Sequence, residues 1–145
     1  MPDEKQILNA VKNALAADTT LAAYVKSFSI GEMEAPKMFF PFIAVGNLAC
    51  GISPATLGAA GKDDFKYSLE IRCGTKCLVP EKAYSGENGI LQLCEDIVSA
   101  AWPNDFGVFD KPVRIRGVNT AYKTVSGGSL WIGSVSITGE IRAEQ

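Results

Sequence analysis

The feature that most constrains the fold is residues 64–73, where apolar and polar side chains alternate strictly. The apolar members of this stretch are Phe65, Tyr67, Leu69, Ile71 and Cys73, and between them lie Lys66, Ser68, Glu70 and Arg72. Successive side chains of a β-strand point to opposite faces of its sheet. The stretch therefore predicts a strand with one buried face and one face in water, and the remaining elements supply partners for the buried face.

Two segments predict amphipathic helices that can cover this buried face. The first begins at Asp3, whose spacing from Gln6 matches a capping box, and it ends near Ala17. The second begins at residue 85 or 86 and stops before Pro103, because the residue before a proline avoids helical angles. Apolar residues recur with helical spacing in both segments, at Ile7, Leu8, Val11, Ala14 and Leu15, and at Ile90, Leu91, Cys94, Ile97, Val98 and Ala101.

Four further segments predict strands, at residues 27–32, 40–46, 113–123 and 130–142. The last two form a hairpin about the pair Gly127 and Gly128. Links of hairpin length between strands favour antiparallel neighbours. The chain length of 145 residues fits one domain. The predicted fold is a single α+β domain: a mostly antiparallel sheet of about four to five strands with two main helices packed on one face, in the order α-β-β-β-α-β-β.

Residues 48–63 form the least patterned segment, rich in glycine and other small residues, and they predict a long flexible loop between two strands. Loops longer than about 12 residues inside a compact domain are usually functional or disordered. Ile52, Leu57 and Lys62 in this loop are therefore candidate interface residues.

Three large apolar residues, Met38, Phe39 and Phe40, precede the second strand, and two interpretations of them stay open. They can close one end of the core, which is the favoured interpretation because large apolar residues are usually buried. Alternatively they form a subunit contact, because aromatic residues and methionine are enriched at protein interfaces.

Fourteen basic and sixteen acidic residues give a net charge of −2, which argues against a dedicated nucleic-acid-binding protein. Five basic residues nevertheless fall on predicted strands, at Lys66, Arg72, Arg114, Arg116 and Arg142. The favoured interpretation is that they form charge pairs across neighbouring strands, and the alternative is that their exposed faces form a modest basic patch for nucleic acid. Arg114 and Arg116 are kept as further candidate interface residues.

The composition also limits catalysis. The chain has no histidine, which excludes Ser-His-Asp and Cys-His nucleophile pairs, and no carboxylate spacing suggests a metal or acid–base site. Its four cysteines favour reduced structural thiols over a four-cysteine zinc site. The amino terminus lacks a secretory signal, and the longest apolar run, residues 38–45, is too short to cross a membrane, so we expect folding in a cytoplasm.

Taken in order, five stretches resemble the tail terminator (tail completion, head–tail joining) proteins of tailed bacteriophages and prophages. They are the opening helix DEKQILNAVKNALAA, the Phe-Pro entry FFPFIAVG with the glycine-rich segment after it, the strand FKYSLEIRC, the helix GENGILQLCEDIVSAAW, and the closing pair VRIRGVNTAYKT and SLWIGSVSITGEI. The resemblance covers nearly the whole chain and consists of an order of elements, without a diagnostic motif.

The resemblance implies a structural virion protein that is not an enzyme and needs no cofactor. Proteins of this family form rings, typically hexamers, which terminate the tail tube and contact tube proteins and head or neck proteins. It implies assembly in the bacterial host cytoplasm and a final location in the virion, with no membrane and no sequence-specific nucleic acid as partner. The segment 48–63 is expected at a ring face or lumen. A neck or head-completion protein and a small ligand-binding accessory domain are the alternatives.

Overall fold

A computed structural model describes residues 3–31, 40–54, 62–77, 80–125 and 128–143. The helices are α1 (Glu4–Ala17), α2 (Thr19–Ala22), α3 (Pro80–Ser85) and α4 (Ile90–Ala101), and the strands are β1 (Ser27–Ile30), β2 (Phe42–Pro54), β3 (Asp63–Cys77), β4 (Arg114–Val125) and β5 (Gly128–Ala143). The strands form one five-stranded mixed sheet in the order β1-β2-β3-β5-β4. The predicted α+β class, the mostly antiparallel sheet and the approximate order of elements are confirmed.

Strand β3 is the centre of the sheet, as residues 64–73 predicted. It pairs antiparallel with β2 on one side and with β5 on the other. Phe65, Tyr67, Leu69 and Ile71 are all buried, whereas the alternate Lys66 and Ser68 are exposed. The period-two pattern therefore decides which face of β3 meets the helices, and the neighbouring strands follow that face by register.

Helix α1 begins at the predicted capping box. The Asp3 carboxylate accepts a hydrogen bond from the Gln6 backbone N–H at 2.8 Å, and the Gln6 side-chain oxygen accepts one from the Asp3 N–H at 3.0 Å. These bonds satisfy backbone donors that the first helical turn leaves without partners. The helix then buries Ile7, Val11 and Leu15, which lie one turn apart and join the main core.

Helix α4 begins at Ile90, later than the predicted residue 85 or 86, and packs directly on β5 and β3 with Ile90, Leu93, Cys94, Ile97 and Ala101 buried. Leu91, predicted on the apolar face, is exposed, and Leu93, which was not predicted there, is buried. Gly133 on β5 permits this close approach, because a Cβ atom at that position would lie only 2.6 Å from the Cys94 Sγ. Residues 74–85 were predicted to be an irregular connection, but they contain the end of β3 and helix α3. A six-residue helix is too short to show a helical repeat of apolar residues, which is why the sequence did not indicate it.

Two further features of the sheet correct the sequence-based interpretation. Residues 48–54, predicted to open a long loop, continue β2 as far as Pro54, and the other end of that segment, Asp63, already belongs to β3. Residues 55–61 lie outside the described part of the chain. β1 pairs parallel to β2, although short links had favoured antiparallel neighbours. The link of more than ten residues between them is long enough for a crossover.

A second, smaller core lies on the sheet face opposite the helices. It contains the fully buried Phe42 and Ala44 on β2 and the buried Leu130 on β5. The Phe42 ring occupies the space above Gly74, where a Cβ atom would lie 2.3 Å from the ring. One end of the sheet is therefore apolar on both faces. Within the described ranges, no helix has the length and hydropathy needed to cross a membrane.

Candidate interaction surfaces

Five of the eight candidate interface residues lie in the described part of the chain; Met38, Phe39 and Leu57 lie outside it. Phe40 is half-buried, and its ring centroid lies 5.5 Å from that of Phe42, so it extends the second core. Ile52 and Lys62 are exposed near the opposite end of β2 and β3, away from Phe40. A role in subunit contacts stays a prediction for each of these residues.

Strand β4 forms one edge of the sheet, and among the described strands it pairs only with β5. Val118 and Tyr122 face the helix side of the sheet, yet each is 45% exposed, because α4 packs mainly on β5 and β3 and less on this strand. A cavity of about 510 Å³ lies between α4 and β4, with Leu91, Val98 and Val118 among its lining residues. We call this region, from β4 across the cavity to α4, the edge groove. The sequence analysis did not single out Val118 or Tyr122.

The opposite side of the sheet offers a second unpaired edge. β1 pairs only with residues 42–45 of β2, so in the described part of the chain residues 46–54 pair with β3 alone. We call residues 46–54 the distal edge. Its Ile52 lies on the helix side of the sheet opposite Phe65 and is 56% exposed. Each edge therefore combines unpaired backbone groups with an exposed apolar side chain, a combination that templates pairing with another chain.

Arg114 and Arg116 come together at one cavity of about 340 Å³, which we call the basic cavity. Its walls also carry Lys66 from β3 and Lys111 from the loop before β4. Among the described residues, Glu140 is the single acidic one in this lining, and its carboxylate lies 3.9 Å from the Lys66 Nζ. The sequence analysis had not connected Lys111 with this group, because Lys111 lies outside the patterned strand.

Of the other two strand arginines, Arg142 forms a charge pair across neighbouring strands, as predicted, whereas Arg72 pairs within its own strand. Arg142 donates to Asp64 on the neighbouring strand with 2.8 Å between Nε and Oδ1, and the guanidinium of Arg142 holds the pKa of Asp64 below its usual value. Arg72 pairs with Glu70 on its own strand at 3.1 Å. Of the five basic residues, Arg72, Arg142 and Lys66 therefore have carboxylate partners, and Lys66 shares the basic cavity with Arg114 and Arg116.

Glu70 is the centre of a hydrogen-bonded group on the face opposite the helices. Asn47, held at a positive φ of 53° beside an irregularity in β2, donates its side-chain amide to Glu70 at 2.7 Å. Partial burial by itself raises the pKa of Glu70, but hydrogen bonds from Asn47 and Ser134 and the charge of Arg72 outweigh it and lower the pKa. The folded protein therefore favours the charged form of Glu70.

This lowered pKa makes a pH-dependent contribution to stability. As pH falls, Glu70 of the unfolded chain becomes protonated at about pH 4.3, whereas Glu70 of the folded protein stays charged to a lower pH. The stability that the charged form contributes is therefore lost as pH falls from the unfolded pKa through the folded pKa. We expect Glu70→Gln to lose less stability than the unaltered protein between about pH 5 and pH 3. Urea unfolding at both pH values measures this difference.

Asn47→Gly is the second variant in this experiment, because glycine keeps the positive φ while removing the amide donor. We expect its pH dependence to lie between those of Glu70→Gln and the unaltered protein. Equal losses of stability in all three proteins would show that the hydrogen bonds do not favour the charged form.

The cysteines do not gather at one site. Cys73 and Cys94 are buried in the core with their Sγ atoms 3.8 Å apart, whereas Cys50 is exposed on the distal edge. Cys50 pairs with Tyr67, which is six residues of strand, about 20 Å, from Cys73. The side chain of Cys77 lies outside the described part, and the described residues contain no cluster of three or more metal-binding side chains.

The fold and these surfaces define an α+β protein whose helices cover one face of a sheet with two edges that no described strand pairs with. A scan against protein-family models matches no family, and a search of curated proteins finds no significant match.

Proposed function

We propose that this chain is a structural protein of a tailed phage or prophage that assembles head-to-tail into a ring, terminates the tail tube and joins it to the head or neck. The ordered resemblance of five stretches to tail terminator proteins supports the assignment. The α+β architecture agrees with that resemblance. The single observation that carries the assembly is that two sheet edges have no strand partner in the described part of the chain and expose apolar residues on the same face.

The directions of the strands make these two edges compatible. β2 runs antiparallel to β3, β3 to β5, and β5 to β4, so β2 and β4 run in opposite directions. A second copy placed beside β4 in the same orientation therefore presents its distal edge antiparallel to β4. Its helices then stay on the same side of the continued sheet, and no copy has to be inverted.

The side chains on the two edges are also compatible. Val118 and Tyr122 on β4 and Ile52 on the distal edge all point to the helix side of their sheet. In the register of the sheet Val118 is level with Val135, and Ile52 is level with Ile141, six residues further along β5. These apolar groups therefore meet when the second copy is shifted along the strands by about 20 Å, and in that position the second copy covers the open edge groove. Such an interface uses two different patches, and repeating it closes a ring when the rotation at each junction divides a full turn and successive copies do not advance along the axis; otherwise it gives an open filament. Neighbouring strands of a sheet twist by about 20–25°, which supplies rotation at each junction.

Assembly is tested first with arginine substitutions at the two edges. We expect the unaltered protein to form rings with increasing concentration, and we expect Ile52→Arg and Val118→Arg each to weaken assembly at least tenfold. A buried, unpaired charge costs several kcal/mol, and about 1.4 kcal/mol already corresponds to a factor of ten. Light scattering after size-exclusion chromatography, with negative-stain microscopy, measures the assembled fraction.

Asn13→Arg is the matched control, because Asn13 is exposed on α1 and lies outside both edges. We expect it to assemble like the unaltered protein. A protein that stays monomeric at all accessible concentrations would contradict the ring proposal itself. If all variants form rings equally well, ring assembly is supported but the two edges are not its interface. Mixing rings with polymerised tube protein from a neighbouring gene then tests binding at tube ends.

A further inference from the structure

We propose that the basic cavity is a binding site for a phosphate group. This proposal stands independently of ring assembly. Lys66 comes from β3, Lys111 from the loop before β4, and Arg114 and Arg116 from β4. The cavity has a volume of about 340 Å³, which places it at the small end of ligand sites. It suits a compact anion with several acceptor oxygens.

The register of the sheet brings these four cations together. Lys66 pairs with Glu140 on β5, and two residues away on the same strand Thr138 pairs with Arg114. The register of β4 shifts between Ile115 and Gly117, so Arg116 is an extra residue with no partner on β5. The shift releases Arg116 from the regular alternation, and both arginines line the cavity.

Among the described residues that line it, the cavity carries an excess of positive charge, although Lys111 also lies close enough to Asp64 to help lower the pKa of that carboxyl. Among the described residues, Lys111, Arg114 and Arg116 form no salt bridge, and the one carboxylate of the cavity, Glu140, already lies near Lys66. Two neighbouring carboxylates are also engaged elsewhere. Asp64 accepts from the Arg142 side chain at 2.8 Å, and Asp110 accepts from the Arg142 backbone N–H at 2.7 Å. Four cations with one carboxylate leave a net charge of +3 in a chain whose total is −2.

The chemistry of these groups favours phosphate over a single carboxylate. Each guanidinium presents parallel N–H donors that match two oxygens of a phosphate, and a lysine ammonium adds a point charge. A phosphate has enough charge and oxygen atoms to meet several of the four cations at once, whereas one carboxylate would leave most of them without a partner. The hydroxyl group of Thr138, also on the cavity wall, is a further available donor.

The phosphate group has two possible sources, a free phosphate compound and the backbone of a nucleic acid. Titration with inorganic phosphate and with a short single-stranded oligonucleotide, followed by NMR chemical shifts, separates them. We expect inorganic phosphate to shift the amide signals of residues around 111–116 and 138–140. Tighter binding of the oligonucleotide with a steep salt dependence assigns the site to a nucleic-acid backbone, and equal or weaker binding assigns it to a free phosphate compound.

The decisive variants are Arg114→Ala/Arg116→Ala and, separately, Lys111→Gln. We expect the double variant to weaken phosphate binding at least tenfold and Lys111→Gln to weaken it several-fold. The control Lys12→Ala on α1 is expected to bind like the unaltered protein. Lys111→Gln keeps the test decisive if the double variant fails to fold. The proposal is overturned if phosphate shifts no signals near the cavity, or if the cavity variants bind as well as the control.

Discussion

Replacing Gly133 with valine is expected to lower the free energy of unfolding by about 2–3 kcal/mol, because inserting a side chain into a packed core forces neighbouring groups to move. A Cβ atom at Gly133 would lie 2.6 Å from the Cys94 Sγ, 2.9 Å from the Cys73 Sγ and 3.1 Å from the Ile90 Cδ1. All three neighbours are buried between α4 and the sheet. The substitution therefore pushes α4 away from β5, and urea unfolding measures the loss.

Gly117→Val is the matched control for this prediction. Gly117 lies on β4 at the register shift, and a Cβ atom there would meet no atom within 4 Å. We expect its free energy of unfolding to stay within about 0.5 kcal/mol of the unaltered protein, as for most exposed substitutions. Equal losses at the two glycines would show that the close approach of α4 to β5 does not contribute to stability.

Phe42→Ala is expected to lower the free energy of unfolding by about 3–5 kcal/mol, the usual cost of removing a fully buried aromatic ring. Phe42 is fully buried on the sheet face opposite the helices, where its ring packs above Gly74. The loss measures how much the second core stabilises the fold. We expect this loss of stability even though Phe42 faces away from both main helices, because the second core buries its ring. Thermal and urea unfolding of the purified variant check the value.

The comparison with Phe40→Ala separates the two interpretations of the aromatic residues before β2. Phe40 is half-buried against the Phe42 ring, so its truncation is expected to cost on the order of 1–2 kcal/mol. If Phe40→Ala keeps its stability but loses assembly, the residue belongs to a subunit contact. If Phe42→Ala costs less than the Phe40 variant, the second core does not exist as described.

The sequence correctly predicted those elements in which apolar residues repeat at the spacing of a strand or a helix, because that repeat shows which side chains are buried. The alternation in β3 and the helical spacing of Ile7, Val11 and Leu15 were each sufficient, because every side chain in these elements has only two environments. The sequence did not predict the distal edge as a strand, because no such repeat is present there. Its residues are small or exposed, so they show no apolar alternation, and it is strand because the long β3 offers backbone partners as far as Asp63.

The candidate surfaces were predictable only in part. The sequence indicated Arg114 and Arg116 on one strand, but it did not place Lys111 beside Lys66, which is 45 residues away along the chain. The edge groove gave no signal at all. Val118 has the same apolar character as the buried Val113, and only the position of α4 leaves Val118 exposed.

The sequence alone determined the α+β class, the two main helices and the face that each patterned strand buries. These properties depend on neighbours within a few residues, where burial of apolar side chains acts on each element separately. The tertiary structure alone decided the strand order, the parallel pairing of β1, the two open edges and the basic cavity. Those properties depend on which distant strands pair and in which register, and that choice is made by the packing of the whole sheet.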